Sequence, residues 1–383
     1  MPVTWRSEAC DQGYDPESGA FIVRLTQSAR HSINIYGELP YTTPDGKRIA
    51  IMRSEDADPR FATHDLYVAD LGTYRIQVAD RNCQNYFIGT SGWSGLLYYL
   101  SADNHLLRLD LATLERQIVW NHWPFPREFM LQSVSPDQRF LVGAMPQASY
   151  ETAVIRVDLQ EKSWKVIREG PELFAAHLQY APAPGPDGKH RLMGLMHRGK
   201  KINHQWHMLT YPTEHPGTCY YEIDNDGGSF RTFPSGPPVL RGNSGHSAWV
   251  GNTGRIAFTG PFAAEAGGNL FTAAAGDAKP RLFRSPEHRF NHVSVSKCGR
   301  YFVCDSYPKG IPGPVPLVIG NLQTGKYRAV VADCKASCGG PACSHPHAYL
   351  TADNQRVIYN ADPYWIGQVF FARVPDEFWR SLE

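Results

Sequence analysis

The stretch Pro44-Asp45-Gly46-Lys47-Arg48-Ile49-Ala50-Ile51-Met52 contains the structural unit that recurs along this chain of 383 residues. A turn rich in Asp and Gly leads into an apolar strand, and after a gap a second strand follows, Asp65-Leu66-Tyr67-Val68-Ala69-Asp70-Leu71. The same order recurs from Ser135 to Leu159. Residues Val154 to Leu159 alternate between apolar and polar, which is the period of a β-strand, and no stretch has a comparable helical period. The sequence therefore predicts an all-β protein built from a repeated unit.

The repeat predicts how the whole chain is organised. Further copies of the unit begin near Gly92, Pro186, Gly251, Lys297 and Ala352. Units of this kind, roughly 40 to 65 residues long, cannot close a core alone and stack radially in β-propellers. We therefore predict a seven-bladed β-propeller that forms a single domain over residues 1–383.

The two ends of the chain are expected to close this ring. A strand, residues 21–26, precedes the first full unit, and the last unit ends on the strand 368–374. Pairing the N-terminal strand with the C-terminal blade would join two otherwise open sheet edges.

Charge composition limits the expected partners. The 38 Lys and Arg residues almost balance the 37 Asp and Glu residues, so the surface has no overall field for nucleic acid or an anionic membrane. The segment Met1 to Glu8 is charged where a secretory signal needs an apolar run, and no apolar stretch is long enough to span a bilayer. These features predict a cytoplasmic protein with no nucleic-acid partner and no membrane partner.

The sequence contains eight cysteines. Five are scattered, and we expect them to be small buried residues: Cys10, Cys83, Cys219, Cys298 and Cys304. The cluster Cys334, Cys338 and Cys343 lies next to histidines, a setting in which thiols are more often reduced or metal-bound than disulfide-bonded. We expect Cys334 and Cys338 to lie in an ordinary loop and Cys343 to be the thiol that contacts a metal.

A pair of histidines, His345-Pro346-His347, opens the last unit. Residues i and i+2 of an extended segment point to the same side, so both imidazoles can bind one divalent ion. His292 occupies the corresponding place in the preceding unit, and corresponding positions of neighbouring blades converge near a propeller axis. We therefore predict a metal site formed by His292, His345 and His347, with positions open for water or substrate.

Two earlier units carry a histidine at what we interpret as the same phase of the repeat. They are His246, in Gly245-His246-Ser247-Ala248-Trp249, and His197, in Met196-His197-Arg198-Gly199. Coincidence poorly explains histidines at one phase in four successive units, so we interpret His246 and His197 as parts of the same functional site.

The insertion that follows His197 combines cations, amides and an indole. Cations bind carboxylates, and an indole offers a flat apolar face to a pyranose, so the insertion suits a sugar acid. The alternative is an ordinary solvated charged surface. The predicted substrate-binding residues here are Arg198, Lys200, Lys201, Gln205 and Trp206. The sequence has no convincing nucleophile elbow, phosphate-binding glycine loop or dinucleotide fingerprint, which argues against serine hydrolases, kinases and nicotinamide-dependent enzymes.

With these motifs the sequence resembles the oligogalacturonate lyase family of seven-bladed propellers over nearly its whole length. The resemblance is carried by Asp15-Pro16-Glu17-Ser18-Gly19, Arg24-Leu25-Thr26, Thr43-Pro44-Asp45-Gly46-Lys47, His197-x-Gly199, Gly245-His246-x-x-Trp249, His292 and His345-Pro346-His347. It implies that His246 is the catalytic base. It also implies that manganese is bound by His292, His345 and His347, with zinc as the alternative metal. Trp249 of the same motif is expected to contact substrate.

The chain departs from the family pattern in two places. Where the family has a metal-binding glutamine, this chain has Ala342, next to Cys343. The family's Gln-Arg-Ile-Trp element is Gln205-Trp206-His207-Met208 here and lacks the arginine, for which Arg198, Lys200 or Lys201 are the candidate replacements. The fold and the lyase chemistry therefore carry over better than the substrate does.

We predict a metal-dependent lyase that cleaves uronate-containing oligosaccharides, as in pectin degradation, by β-elimination to 4,5-unsaturated products. A metal would bind the uronate carboxylate, His246 would remove the C5 proton, and His197 would orient the substrate or help protonate the leaving oxygen. The alternatives are a non-catalytic propeller scaffold with a structural zinc site, a lyase for another uronate polymer such as ulvan, and a hydrolase or epimerase acting on the same sugars.

Overall fold

The computed structural model of the protein describes residues 4–55, 63–174, 177–263, 265–308, 313–338 and 344–383. Regular structure in these ranges is almost entirely β, as the sequence predicts. The strands are, in chain order, β1 (Arg6–Ser7), β2 (Cys10–Tyr14), β3 (Phe21–Arg24), β4 (His31–Ile33), β5 (Arg48–Ser54), β6 (His64–Asp70), β7 (Arg75–Thr90), β8 (Leu96–Leu100), β9 (Leu106–Asp110), β10 (Arg116–Trp120), β11 (Met130–Val134), β12 (Phe140–Pro146), β13 (Thr152–Asp158), β14 (Ser163–Gly170), β15 (Gln179–Tyr180), β16 (Arg191–Arg198), β17 (Lys200–Ile202), β18 (Met208–Thr210), β19 (Gly217–Asp224), β20 (Arg231–Thr232), β21 (Ser247–Trp249), β22 (Arg255–Ala263), β23 (Gly268–Ala274), β24 (Arg281–Phe283), β25 (Phe290–Val295), β26 (Tyr301–Ser306), β27 (Leu317–Asn321), β28 (Tyr327–Val331), β29 (Tyr349–Leu350), β30 (Arg356–Ala361) and β31 (Gln368–Arg373).

The Asp-rich turns of the repeated unit share one structure. Asp45 Oδ1 accepts hydrogen bonds from the Thr43 hydroxyl at 2.6 Å and from the Lys47 backbone N–H at 3.1 Å. The Ser135 hydroxyl donates to Asp137 Oδ1 in the same way, at 2.5 Å. Each carboxylate satisfies backbone and hydroxyl donors that the tight turn would otherwise leave unpaired, so the turn residues define where the next strand begins.

The strands pair in sequence order as antiparallel meanders. Four-stranded sheets are formed by β15-β16-β19-β20, by β21-β22-β23-β24 and by β25-β26-β27-β28, and β17 and β18 form a separate hairpin. β1 and β4 to β14 join in a twelve-stranded sheet, because the long strand β7 pairs with β6 along its first part and with β8 along its second.

The N-terminal strand pairs with the last unit, as the sequence predicts. β3 lies antiparallel to β31, with Phe21 opposite Arg373 and Arg24 opposite Phe370, in the five-stranded sheet β2-β3-β31-β30-β29. This pairing satisfies one edge of each strand and brings the two ends of the chain together.

Apolar side chains pack between consecutive sheets. Ile256 of β22 belongs to a buried cluster with Met193 of β16, in the preceding sheet. Ile49 of β5 belongs to another with Ile358 of β30, so the first strands of the chain pack against the last sheet. Each sheet thus buries its face against its neighbour.

One helix within the described ranges, α1 (Asp376–Leu382), departs from the expectation of no helical stretch. Asp376 and Glu377 lie in its first turn and Arg380 in its last, which complements the helix dipole, and Phe378 and Leu382 are buried. Seven residues are too few to show a helical period in the sequence, and docking of the apolar side chains stabilises so short a helix. It is too short to cross a lipid bilayer, and no other described segment is a membrane-spanning helix.

Two of the scattered cysteines are not buried as predicted. Cys10 and Cys298 are exposed, whereas Cys83, Cys219 and Cys304 are buried. Cys10 lies in β2, the outermost strand of its sheet, and Cys298 lies in the turn before β26, so both positions face solvent.

Replacing Val23 with alanine should lower the free energy of unfolding by roughly 2 kcal/mol, because this side chain is fully buried where the first strands meet the last sheet. Urea unfolding followed by tryptophan fluorescence measures the change. The control Ile118→Ala alters a side chain that is 52% exposed and should change the free energy by less than about 0.5 kcal/mol. An equal loss of unfolding free energy in the two variants would contradict the importance of the contact between the first strands and the last sheet.

Candidate active site

Four histidine side chains converge at one place in the molecule. The ring centroid of His292 lies 4.1 Å from that of His246, 5.0 Å from that of His345 and 4.6 Å from that of His347. The rings of His345 and His347 are nearly parallel, with centroids 5.7 Å apart. The predicted base and the three predicted metal ligands are therefore neighbours. We call these four residues the histidine cluster.

The cluster forms because its members occupy the same place in three consecutive sheets. His246 immediately precedes β21, His292 lies in β25, and His345 and His347 precede β29. Each of these strands is the end strand of its sheet, and β25 lies beside both β21 and β29. The sequence correspondence of these histidines is confirmed.

His197 is not at the corresponding position, and that prediction was wrong. It lies near the end of β16, the second strand of its sheet, whereas His177 lies two residues before the first strand, β15 (Gln179–Tyr180). His197 lies in the longer and more easily recognised strand of this sheet, β16, whereas β15 has only two residues. The His177 ring lies 6.1 Å from that of His246, while His197 stacks on Phe174 at 4.4 Å.

The segment from His345 to His347 is a loop and not the predicted extended strand, since His347 has a φ of 43°. Asn34 Nδ2 donates to the His347 carbonyl at 2.8 Å, and Asn360 Nδ2 donates to the His345 carbonyl at 3.2 Å. A Cβ atom at Gly37 would lie 2.7 Å from the His347 carbonyl oxygen, so only glycine allows this approach. Tertiary contacts, and not strand alternation, bring the two rings together.

Buried partners orient two rings of the cluster. Asp305, fully buried in β26, accepts a hydrogen bond from the His292 backbone N–H at 2.8 Å, and its other oxygen lies 2.6 Å from His292 Nδ1. Burial raises the pKa of Asp305 to about 6, so the group is still a carboxylate at neutral pH. His292 Nδ1 therefore carries a proton, and the lone pair of the neutral ring is on Nε2. The Tyr307 hydroxyl lies 3.1 Å from His345 Nδ1 and restrains that ring in the same way.

A buried carboxylate, Glu38, lies between His177 and His246. Glu38 Oε2 accepts hydrogen bonds from His177 Nδ1 at 3.0 Å and from Gln179 Nε2 at 3.2 Å. Its Oε1 lies 3.6 Å from His246 Nδ1, and the Tyr36 hydroxyl lies 3.1 Å from the same nitrogen. The negative charge favours the tautomer of His246 with hydrogen on Nδ1, which leaves the lone pair on Nε2.

Burial and charge give the site one ion pair, Glu38 with His177, and one imidazole that stays neutral, His347. Burial alone would raise the pKa of Glu38, but the positive charge and hydrogen bond of His177 outweigh it and lower the pKa to about 2. Burial alone would lower the pKa of His177, but the Glu38 carboxylate raises it above its ordinary value. By contrast, burial and then the charges of His292 and His345 hold the pKa of His347 well below its ordinary value.

The cluster suits a divalent cation by its chemistry. Metal–nitrogen bonds of about 2.1 Å bring the centroids of neighbouring coordinating imidazoles to about 5 Å, similar to the spacings among His292, His345 and His347. A hydrogen bond from Nδ1 to a carboxylate, as in His292, is typical of metal-binding imidazoles. Within the described part of the chain, however, no three His, Cys, Asp or Glu side chains have the complete arrangement of a metal site.

The predicted sulfur ligand, Cys343, and its neighbour Ala342 lie outside the described residues. Cys334 and Cys338 lie in a loop, as predicted. Cys334 is buried in an apolar cluster, and this burial raises the pKa of its thiol well above the ordinary value. A neutral thiol in such surroundings is a poor zinc ligand, so Cys334 lends no support to a structural zinc site.

Most of the predicted substrate-binding residues lie on or beside the hairpin formed by β17 and β18. Lys200 and Gln205 are exposed, and Trp206 is half-buried. The Lys201 ammonium lies over two tyrosine rings, 5.4 and 5.9 Å from their centroids. The Arg198 guanidinium donates to a backbone carbonyl at 2.8 Å. The structure places these side chains at the hairpin and not among the converging rings.

Trp249 lies beneath the site and not on its surface. Its indole is 5% exposed, and Nε1 donates to the Gln179 carbonyl at 3.2 Å. The Gln179 side chain in turn donates to Glu38 and, at 2.9 Å, to the Ser247 carbonyl. The indole therefore offers no face to a sugar and supports the residues that orient His246.

Sequence reasoning missed several residues of the site: Tyr36, Glu38, His177, Asp305 and Tyr307. A search for a histidine directly before each end strand would have found His177. Tyr36 and Glu38 carry no such signal, because they reach the cluster from a loop that is far away in the sequence.

Comparison with solved structures shows which known proteins share this fold. An oligogalacturonate lyase in complex with manganese matches with a TM-score of 0.70 and 18% identity, over 99% of this chain and 98% of that one. The oligogalacturonate lyase from Vibrio parahaemolyticus also matches with a TM-score of 0.70, at 15% identity, over 99% of this chain and 100% of that one.

A more distant match is the β-propeller domain of the Trilobed protease from Pyrococcus furiosus, with a TM-score of 0.51 and 12% identity, over 91% of this chain and 97% of that one. Neither models of known protein families nor curated protein sequences match the chain. The all-β, propeller-like fold is thus the one found in the oligogalacturonate lyases, as the sequence resemblance implies.

Replacing Glu38 with glutamine should lower the free energy of unfolding by roughly 3 kcal/mol near pH 6, because it leaves His177 without its buried partner. The pKa of Glu38 is lowered, so its contribution is complete above pH 4.5 and is lost as the pH falls towards 2. The pKa of His177 is raised, so its contribution is complete below pH 6.5 and is lost as the pH rises through the folded-state value. The difference between wild type and variant should therefore be largest from pH 4.5 to 6.5.

Urea unfolding at a series of pH values measures this difference. The matched control is Glu214→Gln, which removes a carboxylate that is 89% exposed and lies 3.8 Å from His215. An exposed pair of this kind contributes little, so the control should behave as wild type at every pH. A pH-independent loss in the Glu38 variant would contradict the ion pair.

Proposed function

We propose that the protein is a lyase that cleaves uronate-containing oligosaccharides by β-elimination. The observation that carries the proposal is the convergence of His246 with His292, His345 and His347, on the fold of the oligogalacturonate lyases. β-Elimination beside a carboxylate needs a base and a centre that stabilises negative charge, and the histidine cluster offers a candidate for each.

His246 is the proposed base. Glu38 and Tyr36 both approach its Nδ1, so Nε2 is the nitrogen that would accept the C5 proton of the uronate. The Glu38 carboxylate would also stabilise the imidazolium that this proton transfer creates. Glu38 and Tyr36 therefore act as positioning residues.

His292, His345 and His347 would hold a divalent cation, manganese by analogy with the neighbour in complex with manganese, or zinc. A bound cation would neutralise the uronate carboxylate and thereby increase the acidity of the adjacent C5 proton. The low pKa of His347 supports this role, because a ring that stays neutral keeps a lone pair for a metal.

The leaving oxygen needs a proton, and His177 is better suited than His197 to supply it. Burial, and then the charges of His177 and Lys200, lower the pKa of His197 to about 4, so His197 is neutral at neutral pH. Glu38 raises the pKa of His177, which favours its protonated form. We assign this proton to His177 or to water, and substrate orientation to His197.

We also propose that the sheets are the seven blades of one closed ring, in a single domain over residues 1–383. Dividing the twelve-stranded sheet within β7, and at the single parallel contact between Thr90 and Ser133, yields three units like those that follow. The apolar clusters between consecutive sheets and the pairing of β3 with β31 support this arrangement.

The His246→Ala variant should lose lyase activity, with kcat reduced roughly 100-fold to 10,000-fold, because the base is removed. The rise in ultraviolet absorbance from the 4,5-unsaturated product, with oligogalacturonides as substrate and ulvan oligosaccharides as a second panel, measures this activity. The control His122→Ala, which alters an exposed histidine outside the cluster, should keep the activity of wild type. Undiminished activity of the His246 variant would exclude it as the base.

Treatment with a chelator should abolish the activity, and manganese or zinc should restore it, because the cation is proposed to bind the carboxylate. The same absorbance assay, before and after dialysis against chelator, measures the loss and the recovery. Full activity in the metal-free protein would contradict the metal-dependent proposal.

A further inference from the structure

A cleft of about 290 Å³ is lined by residues close in sequence to the histidine cluster, and one of them contacts a ring of the cluster. Its lining residues include Asn243, Asn291 and Tyr307. Asn243 lies three residues before His246, Asn291 directly precedes His292, and the Tyr307 hydroxyl lies 3.1 Å from His345 Nδ1. Tyr307 therefore both lines the cleft and contacts the histidine cluster.

Among the described residues that line the cleft, Arg289 is the one cation and none is acidic. The Arg289 guanidinium lies over the Phe262 ring, 4.7 Å from its centroid. Arg289 forms no ion pair with any residue that the structure describes, and the undescribed positions next to the lining residues in sequence, 264 and 309–312, contain no Asp or Glu. By contrast, Arg139 and Arg30 each pair with a carboxylate, at 3.0 and 2.8 Å.

The backbone that carries Arg289 is held rigidly. Its N–H donates to the Ser306 hydroxyl at 3.1 Å, and its carbonyl accepts hydrogen bonds from the Tyr307 N–H at 3.1 Å and from Asn291 Nδ2 at 3.2 Å. The aromatic face below the guanidinium limits its orientation further. An arginine arranged in this way is preorganised for a planar anion and loses little conformational freedom on binding one.

We propose that Arg289, stacked on Phe262, binds the carboxylate of a second uronate residue, adjacent to the residue from which His246 removes a proton. The proposal rests on the proposed function and extends it to a preference for consecutive uronates. The guanidinium forms two parallel hydrogen bonds with a carboxylate, which a neutral sugar cannot replace.

The test compares binding and cleavage in Arg289→Ala. Isothermal titration calorimetry in the inactive His246→Ala background, with saturated trigalacturonate as the probe, should give a Kd raised roughly tenfold by Arg289→Ala. In the active protein, KM for trigalacturonate should rise by a similar factor while kcat changes little. Arg289→Lys keeps the positive charge but cannot form two parallel hydrogen bonds with a carboxylate. Its Kd and KM should lie between those of wild type and of Arg289→Ala.

Substrate comparison tests the preference for consecutive uronates. Wild type should favour trigalacturonate over an oligosaccharide in which galacturonate alternates with neutral rhamnose, and Arg289→Ala should lose most of this preference. The matched control is Arg281→Ala, an exposed arginine in β24 of the sheet that also carries Phe262, and it should keep the affinity and preference of wild type.

The outcomes separate this proposal from the proposed function. Binding that Arg289→Ala weakens, in a protein without lyase activity, would support the subsite and reject the lyase. Lyase activity and trigalacturonate affinity that Arg289→Ala leaves unchanged would reject the subsite alone. A wild-type protein that neither binds nor cleaves trigalacturonate would overturn both.

Discussion

Each sheet of this protein buries its apolar face against the next sheet, and this constraint organises the rest of the structure. Ile256 packs against the preceding sheet, and Ile49 joins the first strands to the last sheet. Stacking of this kind brings the end strands β21, β25 and β29 side by side. Residues that precede or begin these strands then meet, and that is how His246, His292 and His347 come to lie within ring-contact distance.

Burial where the end strands β21, β25 and β29 meet determines the protonation states of Glu38, His177 and His347. A carboxylate there needs a cationic partner, and Glu38 has one in His177, whereas His347 is surrounded by other imidazoles and stays neutral. The result is a charged pair, Glu38 and His177, beside the neutral ring of His347. This division suits a reaction in which one imidazole takes a proton while others supply lone pairs. Outside this centre, Lys201 and Arg289 each lie over an aromatic ring.

The sequence predicted more of the fold than of the site. Asp-Gly turns such as Thr43 to Lys47 define a unit by local hydrogen bonds, and local bonds can be predicted from short stretches. His292 and His345 were found because the repeat assigns them the same position in neighbouring sheets. His197 was misassigned because it lies in β16, the long apolar strand that dominates this part of the sequence, and not before the first strand of the sheet. α1 was missed because seven residues are too few for a helical period.

The sequence by itself determined the all-β unit, the pairing of the terminal strands and the corresponding positions of His246 and His292 in their units. Strand alternation and turn chemistry are local properties, and they can be recognised here because they recur in each unit. Only the tertiary structure decided that Trp249 is buried, that His347 adopts a left-handed conformation and that Glu38 lies between two histidines. The physical reason is that burial and the partner of a charge depend on segments distant in sequence. The contact between Glu38 and His177 spans 139 positions, and no local pattern encodes it.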